Sequence, residues 1–152
     1  MRARRFPLLL GAVVLFLAAS LLTARFLGAE NRERNLIIEL LGAQARGDAD
    51  EVIRRLDGCA AAPRCAARAR ANAERLRRPG RLRLVRLDSE TAHVLGAARG
   101  PTRVVWLVPG RSLTTVQCID VERVGNALRG REILLKRLGP PIRRLSSCPG
   151  QP

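Results

Sequence analysis

The longest apolar run in the chain extends from Phe6 to Ala24 and contains no charged residue. A helix of that length rises about 28 Å, close to the thickness of the hydrocarbon core of a bilayer. Arginines crowd the flank at residues 1–5, and Arg25 follows the run. Because basic flanks stay in the cytoplasm, the pattern predicts a transmembrane anchor at 6–24, with a cytoplasmic flank at 1–5 and the remaining chain exported.

A cleaved signal peptide is the alternative interpretation of the same run. Cleavage would follow Ser20 or Ala29, but Leu21 and Leu22 continue the apolar run past the first of these positions. Both interpretations export the remaining chain. The predicted location is therefore the bacterial cell membrane, with a single span, the N-terminus in the cytoplasm and the C-terminal domain outside it.

The first part of the exported chain has helical spacing. Predicted helices cover Glu30–Arg46, Ala49–Asp57 and Pro63–Leu76. Gly47 ends the first helix as a left-handed cap, and Asp48 with Glu51 resembles a capping box that opens the second. The apolar face of the first helix carries Leu36, Ile37, Leu40, Leu41 and Gln44.

After Gly80 the pattern changes to β-branched and alternating residues, with a loop expected at Gly96–Pro101. Helices followed by strands predict an α+β domain, in which three helices pack on a curved antiparallel sheet of three to five strands. The expected strands are Arg81–Asp88, Thr91–Leu95, Thr102–Val108, Leu113–Val124 and Arg131–Leu138.

Four cysteines in an exported domain of this size predict two disulfides. Of the three possible pairings, Cys59–Cys65 with Cys118–Cys148 is favoured, because closing a short loop costs little chain entropy. The second bridge would pin the tail at 143–152. A zinc site would need closer cysteine spacing or several histidines, and the chain has one histidine. No metal and no cofactor are predicted.

The order of elements and the segment LLGAQARGDADEVIRRL, with its Gly47-Asp48 step, resemble the cystatin-like or nuclear-transport-factor-2-like superfamily. The resemblance covers roughly Asn31–Ile142. It implies a cone-shaped domain at 31–142, which a linker at 25–30 joins to the anchor. Enzymes of that superfamily often place acidic or histidine side chains inside the cone.

Four side chains are candidates for a ligand pocket in such a cone: His93, Trp106, Asp120 and Glu122. His93 would need an oriented carboxylate to act as a general base, and no triad spacing surrounds it. Asp120 and Glu122 alternate onto one strand face, where an ion-paired surface is the simpler interpretation. Trp106 on a β-branched run is typical of a core residue. No catalytic residue is predicted, and a protein without enzymatic activity is favoured.

The chain carries a net charge of +15, and every basic residue except Lys136 is an arginine. Such a surface attracts anionic partners. The scarcity of aromatic residues argues against specific nucleic-acid binding, which needs stacking platforms. The predicted function is a membrane-anchored, extracytoplasmic binding or assembly module, with an anionic envelope component or a protein as its partner. A small ligand-binding or enzymatic cone with an internal pocket is the alternative.

Overall fold

A computed structural model describes residues 5–78, 80–89, 92–94, 97–110, 114–126, 130–143 and 146–149. Within these ranges the helices come first and the strands follow, so the fold is α+β. The helices are α1 (Arg5–Arg46), α2 (Ala49–Arg55) and α3 (Pro63–Arg75). The strands are β1 (Arg83–Ser89), β2 (Ala92–Val94), β3 (Ala97–Leu107), β4 (Thr115–Asn126) and β5 (Gly130–Leu138).

The predicted transmembrane helix at 6–24 is contradicted. Over the residues that the structure describes, no helix is both long and apolar enough to cross a membrane. The apolar run is instead the first part of α1, which continues through 25–30, the expected linker, and through charged residues to Arg46. Helix α1 continues through 25–30 because Gly28 is the only poor helix former in that stretch, and one glycine inside a helix lowers its stability by about 1 kcal/mol. The flank at 1–4 lies outside the described residues.

Helix α1 ends at the predicted cap. Gly47 has a φ of 81°, which favours glycine. The side chain of Asp48 then accepts a hydrogen bond of 3.0 Å from the backbone N–H of Glu51 and opens α2. The N–H of Arg78, beyond α3, donates to the Ala45 carbonyl at 2.7 Å. The C-terminal ends of α1 and α3 therefore lie together.

The strands form one antiparallel sheet in the order β1-β3-β4-β5, with β2 also paired to β3. The loop expected at Gly96–Pro101 is wrong from Ala97 onward, since these residues pair with β4 between Asp120 and Val124. The 12-residue β4 would otherwise leave buried backbone groups without partners. Leu113, the first residue of the expected strand Leu113–Val124, lies outside the described residues, as do residues 127–129 before β5.

One face of the sheet packs against the helices and forms the core. Residues opposite each other in β3 and β4 share a face, so Thr102, Val104 and Trp106 lie beside Ile119, Gln117 and Thr115 on the helix side. The helices contribute apolar side chains to the same cluster. These are chiefly Ile37, Leu40 and Leu41 from α1, Val52 and Ile53 from α2, and Ala66 and Ala69 from α3.

Both predicted disulfides are confirmed. Cys59 and Cys65 bridge the turn between α2 and α3, with Cα atoms 5.3 Å apart. Cys118 and Cys148 form the second bridge, with Cα atoms 5.7 Å apart. This bridge ties the C-terminal tail to β4 on the face away from the helices. The N–H of Ile142 donates to the Val116 carbonyl at 2.8 Å, so the tail also pairs with β4 through its backbone.

The two disulfides should differ in their contribution to stability. The Cys118–Cys148 bridge closes a sequence separation of 30 residues, and the Cys59–Cys65 bridge closes one of 6. Loop-closure entropy then predicts that C118S/C148S lowers the free energy of unfolding by about 1 kcal/mol more than C59S/C65S does. Urea denaturation of the two double variants measures this difference. A larger loss in C59S/C65S would contradict it.

Candidate functional site

Helix α1 docks on the sheet through one stripe of buried residues. Glu33, Ile37, Leu40 and Gln44 recur at the spacing of one helix face and are between 0% and 4% exposed. The middle of the stripe is apolar, and each end is polar. We call the end around Glu33 the acid–base cluster (Glu33, Ser89, Thr102, Arg123). The end around Gln44 is the amide cluster (Gln44, Asn72, Trp106, Gln117).

The acid–base cluster joins α1 to three strands. Oε2 of Glu33 accepts hydrogen bonds from Nε of Arg123 at 2.8 Å and from Nη2 at 2.5 Å. Oε1 accepts from the hydroxyls of Ser89 at 3.1 Å and Thr102 at 3.3 Å. The side chains of Glu33 and Arg123 are 5% and 13% exposed. Charge-assisted bonds in such a buried place are short and strong.

One nitrogen of this cluster is not hydrogen-bonded. Nη1 of Arg123 is buried and has no partner among the residues that the structure describes. Within the described part of the chain, Glu33 supplies the only carboxylate that pairs with this guanidinium. Removing that carboxylate would leave a buried positive charge uncompensated.

The amide cluster links α1 and α3 to β3 and β4. Oε1 of Gln117 accepts hydrogen bonds from Nε2 of Gln44 and from the indole N–H of Trp106, both at 2.9 Å. Nε2 of Gln117 donates to the Gly139 carbonyl at 3.0 Å, which also accepts from the Asn72 amide at 3.1 Å. Every one of these side chains is at least nineteen-twentieths buried. Gln117 is the centre of the network.

Neither cluster is arranged for catalysis. Amide side chains do not titrate, and both carboxylate oxygens of Glu33 already accept hydrogen bonds from protein donors. In the described part of the chain, no group of three or more acidic, histidine or cysteine side chains is placed to hold a metal ion. The clusters can position α1 on the sheet, which is a structural role.

The four pocket candidates are not gathered in one place. Asp120 pairs with Arg137 at 2.8 Å, and Glu122 pairs with Lys136 at 3.1 Å, on the sheet face away from the helices. Trp106 lies on the opposite face and is fully buried. His93 is in β2, opposite Ala98, and its side chain lies outside the described residues.

The pKa values of Lys136 and Glu51 are shifted, and both side chains belong to surface ion pairs. Hydrogen bonds to Asp57 and Glu122 raise the pKa of the Lys136 ammonium. Hydrogen bonds from Arg54 and Arg55 lower the pKa of the Glu51 carboxyl. Both shifts favour the charged form, so these groups stay ionised near neutral pH and are poorly suited to transfer protons there.

The N-terminal part of α1 presents a second candidate surface. Every side chain from Gly11 to Leu21 is exposed. Leu15 is 75% exposed and Phe16 is 69% exposed. We call residues 11–21 the projecting segment. Among the described side chains of α1, Glu33 is the first that is buried, so the acid–base cluster is the N-terminal end of the described buried stripe.

No family model, curated protein or solved structure matches this chain. Its function is therefore inferred from its own surfaces and buried contacts.

The acid–base cluster makes a prediction about stability. Glu33→Gln keeps the shape of the side chain but leaves Arg123 charged and buried, so it should lower the free energy of unfolding by about 3 kcal/mol or more. The matched control is Glu132→Gln, an exposed carboxylate of β5 with no ion pair among the described residues. It should change stability by less than about 0.5 kcal/mol. Urea denaturation compares the two, and equal effects would contradict the assigned role of Glu33.

Proposed function

We propose that this chain is a disulfide-stapled binding or assembly module that works outside the cytoplasm, at a bacterial cell membrane. The two disulfides support an oxidising compartment, because such bonds are rare in reducing ones. The projecting segment, residues 11–21 of α1, is the element that docks to a protein partner. Its exposed apolar surface is the observation that carries the proposal.

The projecting segment carries apolar side chains on all of its sides. Successive residues of a helix point about 100° apart. Val13, Val14, Leu15 and Phe16 therefore face four directions, and each is at least 54% exposed. A single flat surface would cover only part of this segment. A partner with an apolar groove, or a bundle of apolar helices, would cover more of it, as expected of an assembly contact.

Binding has more support than catalysis. Trp106 belongs to the amide cluster on the helix side of the sheet, whereas Asp120 and Glu122 form ion pairs on the other side. The alternative, a ligand-binding or enzymatic cone, would need these side chains in one pocket. We also propose a distant relationship to cystatin-like or nuclear-transport-factor-2-like domains, of which this chain would be a member without catalytic activity. The order of helices and strands supports that relationship.

The experiment places a photo-crosslinking amino acid at Phe16 in the full chain, expressed in a bacterium with its exported partners present. The matched control places it at Ala67, an exposed position on α3. We expect a discrete protein adduct from position 16 and none of that size from position 67. A second variant carries L15Q in addition to the crosslinking amino acid at position 16. L15Q should reduce the yield of the adduct severalfold, because it removes apolar contact area.

Two results would contradict the proposal. One is the same set of adducts from positions 16 and 67, which would indicate nonspecific proximity. The other is crosslinking of position 16 to lipid alone, which would mean that no protein covers the projecting segment.

A further inference from the structure

Several exposed arginines of the domain are paired with neighbouring acids. On α2, the Glu51 carboxylate accepts hydrogen bonds from Arg54 and Arg55. On the outer face of the sheet, Arg86 pairs with Asp88 at 2.8 Å, and Arg137 pairs with Asp120 at the same distance. These four arginines are balanced by neighbouring acids, whereas exposed Arg83 and Arg99 on the strands have no ion pair among the described residues.

Helix α3 does not balance its charge. Four of its arginines are exposed, and we call them the arginine face (Arg64, Arg68, Arg70, Arg75). None of them forms an ion pair or side-chain hydrogen bond within the described part of the chain. The only acid on the helix is Glu74. Four exposed arginines, unpaired among the described residues, within one 13-residue helix concentrate positive charge on α3.

The arginines of the arginine face lie along both edges of the exposed side of α3. The buried side of α3 carries Ala66, Ala69, Asn72 and Ala73. With 3.6 residues per turn, Arg64, Arg68 and Arg75 form one row at the edge of the exposed side, and Arg70 lies at the other edge. The strip between them contains exposed Ala67 and Ala71, whose short side chains allow a flat surface to approach. It also contains exposed Glu74, which offsets one of the four positive charges.

We propose that the arginine face docks the domain on the anionic headgroups of a lipid bilayer. Guanidinium groups bind phosphate oxygens in bidentate fashion. A planar layer of headgroups contacts arginines on both edges of a helix at once, whereas a thread-like polyanion follows one row. No aromatic residue lies on α3, so bases of a nucleic acid would find no stacking platform. The proposal rests on the membrane location proposed above.

The test measures binding of the full oxidised chain to vesicles. Two compositions are compared: neutral phosphatidylcholine, and the same lipid with about one-third anionic phosphatidylglycerol. The apolar projecting segment contributes to binding to both kinds of vesicle. The difference in affinity between the two compositions therefore isolates the electrostatic contribution. R64Q/R68Q/R75Q removes one row of the arginine face. R54Q/R86Q/R137Q is the matched control, which removes the same charge from arginines that are exposed but ion-paired.

We expect R64Q/R68Q/R75Q to lower the preference for anionic vesicles by at least about tenfold, since each arginine near such a surface contributes severalfold. The control should lower it by much less, and added salt should abolish the preference of the unaltered chain. Circular dichroism confirms that both variants are folded.

Equal losses in the two triple variants would overturn the proposal, because net charge alone would then explain binding. Preferential binding to soluble polyphosphate, lost in R64Q/R68Q/R75Q while anionic vesicles do not compete, would also overturn it in favour of a soluble polyanion. Neither result depends on crosslinking at Phe16, so a failure here is distinguishable from a failure of the proposed protein contact.

Discussion

The stripe of α1 from Glu33 to Gln44 is the contact on which the rest of the structure depends. Its apolar middle, Ile37 with Leu40 and Leu41, closes the core over the sheet. Its polar ends bind residues that the chain supplies much later, up to 90 positions away at Arg123. Because α2 and α3 follow α1 through short connections, the position of this stripe also determines where the arginine face lies.

Two polar clusters inside a small core need a physical reason, since burying a charged pair is not stabilising in itself. Apolar side chains at Glu33 and Gln117 would allow α1 to slide or rotate along the sheet, because apolar contacts have little directionality. Hydrogen bonds of fixed geometry allow one register only. On this view the clusters contribute specificity of orientation. Loss of either one should loosen α1 against the sheet before the whole domain unfolds.

Local signals in the sequence were sufficient for much of the fold. The cap at Gly47, the Asp48 side chain and the cysteine spacing each involve residues close in the chain, and the structure confirms them. The continuity of α1 was missed, although no strong helix breaker separates the apolar run from the first amphipathic helix. The Glu33–Arg123 pair could not have been found by periodicity, because its partners meet only through strand register. Gln44 on a predicted apolar face was the one available sign of a polar core.

Helix α1 has a docked part, which builds the domain, and a projecting segment, whose exposed side chains are free to bind. Hydrogen exchange of the oxidised, isolated chain, resolved along α1, tests this division most directly. Amides from Ile37 to Ala45 should exchange only with global unfolding, whereas those from Val13 to Leu21 should exchange orders of magnitude faster, with the change near Glu33. Equal and strong protection along the whole helix would show that the projecting segment is covered by the domain itself, and would contradict the account.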